Sequence, residues 1–206
     1  MSDFDRFGET QMDVLREVGN IGAGHAATAL SNLLGKPVDM QVPRVSFVPF
    51  DEIAEQVGGA ETVVVAVFLR VEGEAPGNLF FILSLDSTRQ LLLDLVRMDH
   101  VEGPPFTEME SSALSEIGNI LAGSYLSSLA DFTQLNLTPT VPSLAVDMAG
   151  AILAYGLLQY GDMGEHALLI ETTFFDGYDR VEGNFFFIPD PEAFSTIFES
   201  LGVPHE

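Results

Sequence analysis

Two hydrophobic periods alternate along this chain. Val14, Leu15, Val18 and Ile21 are spaced i, i+1, i+4, i+7, which draws one apolar stripe along a helix and predicts that the stripe faces a core. Ala113, Leu114, Ile117 and Ile120 repeat the pattern. Just before them, Thr107 with Glu110 three residues on forms a capping box that marks a helix start. Elsewhere β-branched and aromatic residues crowd into short runs. These predict strands at Thr62 to Val71 and Asn78 to Leu85 followed by a helix at Ser87 to Arg97, and then strands at Ala167 to Phe175 and Asn184 to Ile188 followed by a helix at Pro191 to Leu201. Val63 to Phe68 and Leu79 to Leu83 are apolar enough to be covered on at least one face, and the phenylalanine runs Phe80-Phe81 and Phe185-Phe186-Phe187 read as sheet core. A sheet flanked by helices follows, and the expected class is α+β.

The same order of elements occurs twice because the chain contains two copies of one unit. Glu17 to Pro43 aligns without a gap to Glu116 to Pro142 at an offset of 99, with nine identities that include Gly19 with Gly118, Asn20 with Asn119, and Gly24 with Gly123. Further on, Gly77-Asn78-Leu79-Phe80-Phe81-Ile82 recurs as Gly183-Asn184-Phe185-Phe186-Phe187-Ile188. The turn-forming cluster Gly103-Pro104-Pro105 lies between the copies and predicts units at 1–103 and 104–206, joined as one compact pseudo-twofold domain.

A second stripe on each opening helix is polar. Asp13, Glu17 and Asn20 fall at i, i+4, i+7, and Ser112, Glu116 and Asn119 repeat the spacing, so each copy presents a carboxylate beside an amide. In one copy this would be an ordinary solvated helix face. Its return in register, while most neighbouring residues have changed, argues for a task. It returns beside glycines, and a glycine in a helix interior costs about 1 kcal/mol relative to alanine. Close approach by the sister helix or by a docking partner is the expected reason for Gly19, Gly24, Gly118 and Gly123.

Other candidate chemistry is weaker. Gly19, Gly22 and Gly24 follow a helical pattern instead of a strand and have no Lys-Ser or Lys-Thr after them, unlike a nucleotide loop. His25, His100, His166 and His205 are scattered without metal-ligand spacing. Asp51, Glu52 and Glu55 read as a solvated face.

These motifs resemble the CheC, CheX and FliY phosphatases, whose pattern is Asp or Ser, three residues, Glu, two residues, Asn, twenty-two residues, Pro. Asp13, Glu17, Asn20 and Pro43 match it once, and Ser112, Glu116, Asn119 and Pro142 match it again with every gap kept. Two complete units resemble the CheC branch, whereas CheX has one unit and FliY carries extra terminal segments. The resemblance implies a pseudo-twofold monomer with a continuous central sheet and both motif helices on one face. It implies hydrolysis of the aspartyl phosphate on CheY, with each Glu pairing to the regulator's lysine and each Asn placed beside the phosphoryl group. Asp13, Ser112, Pro43 and Pro142 are supporting residues in this picture. No cofactor of the chain's own is implied, only a Mg ion on the regulator. The receptor deamidase CheD is a further implied partner, and an adaptor for CheD with little hydrolysis is the competing reading.

Composition narrows the setting. With no cysteine there is no thiolate nucleophile, disulfide framework or sulfur-ligated metal. The N-terminal residues Ser2 to Arg6 lack the basic start and apolar centre of a secretory signal, and no run is long enough to cross a bilayer, so a cytoplasmic, non-membrane protein is expected. The formal charge is −23, from 31 acidic residues against seven arginines and Lys36. That rules out a nucleic-acid footprint. It also suits concentrated salt, so a halophilic source is expected. The acidic side chains repel over about 30 Å at 0.01 M salt and only about 3 Å at 1 M, so stability is predicted to rise with salt. Thermal unfolding across a potassium chloride series checks this, and a melting temperature that is flat or falls toward molar salt would refute it.

Overall fold

The computed structural model describes residues 9–160, 166–176 and 179–202. The first half runs through helix α1 (Glu9–Leu34), strand β1 (Asp39–Pro49), a 3-10 turn into the short α2 (Ile53–Gln56), the hairpin β2 (Val63–Gly73) and β3 (Gly77–Ser84), and α3 (Leu85–Gln90), which continues as a π-helical turn over Leu91–Leu95. The second half runs through α4 (Glu108–Thr133), β4 (Leu137–Pro139), β5 (Ser143–Met148), α5 (Ala149–Tyr160), β6 (His166–Asp176), β7 (Asp179–Pro189) and α6 (Pro191–Ser200). The class is α+β, as expected.

Seven antiparallel strands form one sheet in the order β1-β6-β7-β3-β2, with β4 and β5 both pairing β2. Its centre is the pairing of β3 with β7, where Phe80 stands opposite Phe186, its own counterpart in the repeat. The pseudo-twofold axis therefore passes between these two residues. Outward from the centre the halves are interlocked. The first strand of the first half, β1, lies on β6 of the second, and β5 of the second half lies on β2 of the first. Arg70 of β2 adds a bidentate ion pair to Asp190 just after β7, tying the halves together at the sheet's end.

Both faces of the sheet are covered, which explains why β2 and β3 read as unbroken apolar runs rather than as alternating ones. Val65, Val67, Leu69, Leu79 and Phe81 point into the larger core beneath α1 and α4, together with Leu91, Leu92 and Ile197 of the closing helices. Val64, Ala66, Phe68, Phe80 and Ile82 point the other way and are covered by Ile53, Ala149, Ile152 and Leu153. Among the described residues no helix is long and apolar enough to cross a membrane.

Local signals placed the helix starts well. The capping box is present, with Thr107 N–H donating to Glu110 Oε2 at 2.7 Å and Glu110 N–H donating to Thr107 Oγ1 at 3.2 Å. The helix expected at Ser87 begins two residues earlier because Ser84 caps it, its hydroxyl accepting from Ser87 N–H at 3.0 Å. It ends before Arg97, whose φ of 59° is left-handed. One core assignment is corrected. Leu15 and Val18 are buried as expected, but Ile21 is 45% exposed, because the buried line continues through Gly22, Ala26 and Leu30. At about 100° per residue Ile21 sits a full step to one side of that line.

The helical glycines now separate by cause. A Cβ on Gly118 would lie 2.5 Å from Val67 Cγ1 and 2.7 Å from its Cβ, so α4 can reach the sheet only without it. Gly22 meets Tyr125 in the same way, at 2.6 Å from the ring and 3.1 Å from its Cα, which lets α1 and α4 cross closely. Gly19 is looser, with Val42 Cγ1 at 3.4 Å. Gly118→Ala is therefore predicted to destabilise by about 1–3 kcal/mol through overpacking against a buried branched side chain. Gly19→Ala should be neutral or stabilising by up to about 1 kcal/mol, from helix propensity. Urea denaturation of the two variants checks the contrast in sign.

Candidate functional site

Helix α1 turns Leu15, Val18, Ala26 and Leu30 into the core and leaves Asp13, Glu17 and Asn20 exposed on its far side. Helix α4 does the same: Leu114, Ile117 and Leu121 are buried while Ser112, Glu116 and Asn119 are exposed. The helices pack against each other, so both stripes belong to one outer layer. Asp13 is engaged by Arg16 at 3.5 Å, an exposed pair of little energetic weight. Among the described residues Glu17, Asn20, Glu116 and Asn119 make no side-chain hydrogen bond or ion pair, so their polar atoms are offered to whatever approaches.

The two prolines do not join the polar stripe. Pro43 sits where the β1–β6 register shifts between Gln41 and Arg44, a bulge that suits a residue with no N–H to donate. It follows Val42, whose Cγ1 lies beneath Gly19, the residue before Asn20. Pro142 lies in the gap between β4 and β5, preceded by Val141, which is 87% exposed where its counterpart Val42 is 4% exposed. Pro43 thus sits at a bulge within one strand and Pro142 in a gap between two, and the second site is the more open.

Beneath the stripes the helix pair is pinned to the sheet by Tyr125. Its hydroxyl bonds Thr172 Oγ1 at 2.9 Å, and its ring lies 4.8 Å from that of Phe185. Burial pushes the phenol up to about 12, opposed in part by the Thr172 bond, so it stays neutral throughout the physiological range. His25 approaches Ser128 Oγ across the helix pair at 3.5 Å, and His100 pairs with Glu102 at 3.4 Å. His205 lies outside the described residues. Among the described residues no three of His, Asp and Glu converge so as to hold a metal ion.

The cavities among the described residues lie away from the amides. Two small apolar cavities beneath the helices, of about 20 and 10 Å³, are lined by core residues such as Leu15, Leu129 and Phe187. An open groove lies at Glu74, Asp190 and Thr196. None of the three includes Glu17, Asn20, Glu116 or Asn119. Small-molecule sites are concave. The two stripes are instead outward surfaces, one on each helix. The contacts that steady it, Tyr125 with Thr172 and Arg70 with Asp190, carried no signal in the sequence, because each joins residues far apart in the chain.

Two interlocked α+β units, each presenting Glu and Asn on the outer side of a paired helix, define a protein of the CheC-like family, and this chain belongs to it. The family model matches residues 11–47 and 109–146, one span for each stripe with its proline. The chain is 44% identical to the CheY-P phosphatase CheC of Bacillus subtilis (strain 168), covering 98% of this chain and 99% of that one. It is 31% identical to the flagellar motor switch phosphatase FliY of the same organism over 62% of this chain and 33% of that protein. In three dimensions it resembles Thermotoga maritima FliY with a TM-score of 0.71, at 19% identity over 95% of this chain and 98% of that one, a likeness of fold.

Proposed function

We propose that this chain is a cytoplasmic hydrolase that removes the phosphoryl group from the aspartyl phosphate of phosphorylated CheY, acting at two equivalent sites. The observation that carries the reading is the doubled, unpaired Glu and Asn on an open helix surface. Full-length similarity to a CheY-P phosphatase supports it.

An aspartyl phosphate is a mixed anhydride with a good carboxylate leaving group. Its hydrolysis needs chiefly a water in line with phosphorus and compensation for charge on the equatorial oxygens. The regulator supplies the compensation through its own lysine and Mg ion, so this chain needs no cofactor for the step. Its contribution is the amide. Oδ1 of Asn20 or Asn119 accepts a hydrogen bond from the attacking water and holds it without acquiring charge, as a glutamine does in GTPases. The water oxygen bonds to phosphorus, the bond from phosphorus to the aspartyl oxygen breaks, and the carboxylate leaves as inorganic phosphate forms. Glu17 and Glu116, one helical turn behind, pair with the regulator's lysine and fix the depth at which the amide enters.

Asn20→Ala combined with Asn119→Ala is predicted to abolish accelerated decay of phosphorylated CheY while leaving thermal unfolding unchanged, since both side chains are exposed and bond nothing within the described fold. Each single variant should keep activity. Parent-like decay with the double variant would overturn the amide mechanism. Measured with and without CheD, the partner added by the family resemblance, the same assay separates a phosphatase from an adaptor. Glu17→Lys with Glu116→Lys is predicted to weaken binding of phosphorylated CheY at least about tenfold, because a lysine then faces a lysine. Calorimetric titration checks this, and unchanged affinity would place docking elsewhere.

A further inference from the structure

Two of the helical glycines have no packing cause among the described residues. A Cβ built on Gly24 or on Gly123 meets no atom of the described residues beyond its own helix backbone within 4 Å, in contrast to Gly118 and Gly22. Neither has a positive φ, so the backbone does not require glycine there either. A helix interior disfavours glycine more than any residue but proline. Yet glycine stands at this position in both halves, and the two copies differ at most other places along these helices.

The position is informative. Gly24 is four residues after Asn20 and Gly123 is four after Asn119. At 3.6 residues per turn, Asp13, Glu17, Asn20 and Gly24 fall within roughly 60° of the helix circumference, and Gly24 lies about 6 Å along the axis from Asn20. The glycine therefore continues the polar stripe by one turn, on the side away from Glu. Gly24 is exposed and Gly123 half-buried. A group that the amide touches must also pass over this point, and a side chain there would hold it off.

We infer that Gly24 and Gly123 are positioning residues for docking: bare backbone on which phosphorylated CheY seats, so that the neighbouring amide can enter its active site. The inference rests on the phosphatase reading and extends it. The occupant is the regulator itself, because the glycine, the amide and the carboxylate form one continuous stripe in each half. The missing side chains leave the Cα atoms of that turn open to close approach, while the Gly24 carbonyl is already engaged by the Thr28 hydroxyl at 2.9 Å; an alanine would push an approaching surface back by about the width of a methyl group.

The test substitutes both positions together, as Gly24→Ala with Gly123→Ala and as Gly24→Leu with Gly123→Leu. Melting temperature and the steady-state kinetics of CheY-P decay are then measured. The alanine pair is expected to raise the melting temperature by about 2–4 °C per glycine, since only helix propensity changes. It should raise KM about threefold, and the leucine pair should raise it more than about tenfold, the loss falling on KM more than on kcat. A lowered melting temperature for the alanine pair would show that the fold itself needs these glycines and would overturn the inference. A leucine pair with parent KM beside an active parent would overturn it as well, leaving the phosphatase reading intact. A parent that neither binds nor dephosphorylates CheY-P would overturn that reading and this one with it.

Discussion

The pairing of β3 with β7 is the contact on which the rest of the molecule depends. It places two copies of the same Gly-Asn strand side by side, with Phe80 against Phe186. The fit is close: a Cβ on Gly77 would lie 2.7 Å from the carbonyl oxygen of Ile188, and one on Gly183 would lie 2.7 Å from the ring of Phe81. Once this register is set, the hairpins extend outward on either side, and the helices that follow from each half are brought to one face. Each opening helix rests on strands from both halves. Gly19 of α1 sits over Val42 and Val45 of β1 and Ile170 of β6, and Gly118 of α4 sits over Val67 of β2. The position of either Asn is thus fixed by a sheet to which both copies contribute.

That rigidity matters because the site itself is spare. Glu17, Asn20 and their counterparts lie in no cavity and have no partners within the described fold, so nothing local orients them beyond the helix. In the proposed mechanism each amide must hold one water in line with a partner's phosphorus, a task that tolerates little misplacement. The firmness comes from below, through the close crossing at Gly22 and Tyr125 and the bond from Tyr125 to Thr172. On that proposal, chemistry is left to the substrate and geometry to this chain. Such a division accounts for a site that is small, uncharged at its working atom and easily doubled.

How far this was legible depended on the distance over which each signal acts. The capping box at Thr107 and Glu110, the polar stripes and the hairpins around Gly77 and Gly183 are encoded within a few residues, and the structure contains them. Strands β1 and β5 were not read, because Pro43 puts a bulge in β1 and Pro142 separates β5 from β4, and because their partners lie in the opposite half. Helix α5 was not read either. Its Ala149, Ile152 and Leu153 cover the sheet's second side, a tertiary contact that no local pattern reveals. Ile21 was misassigned since four apolar residues on a helix fit more than one line, and only the buried Gly22 and Ala26 choose between them.

The exchange of first strands has a consequence for a chain still being made. Strand β1 is complete at Pro49, but β6, its partner, ends only at Asp176. At a synthesis rate of about 5–20 residues per second, that separation is about 6 to 25 s. For that interval the first half exists with β1 unpaired, and until Met148 is made the outer edge of β2 also waits for β5. Open edges of this kind invite strands from other chains. The strands they accept in the finished protein come from a second copy of the same unit, carried on the same polypeptide. Covalent linkage keeps that copy at high effective concentration, and so makes self-recognition between the repeats faster than recognition between neighbours on a polysome.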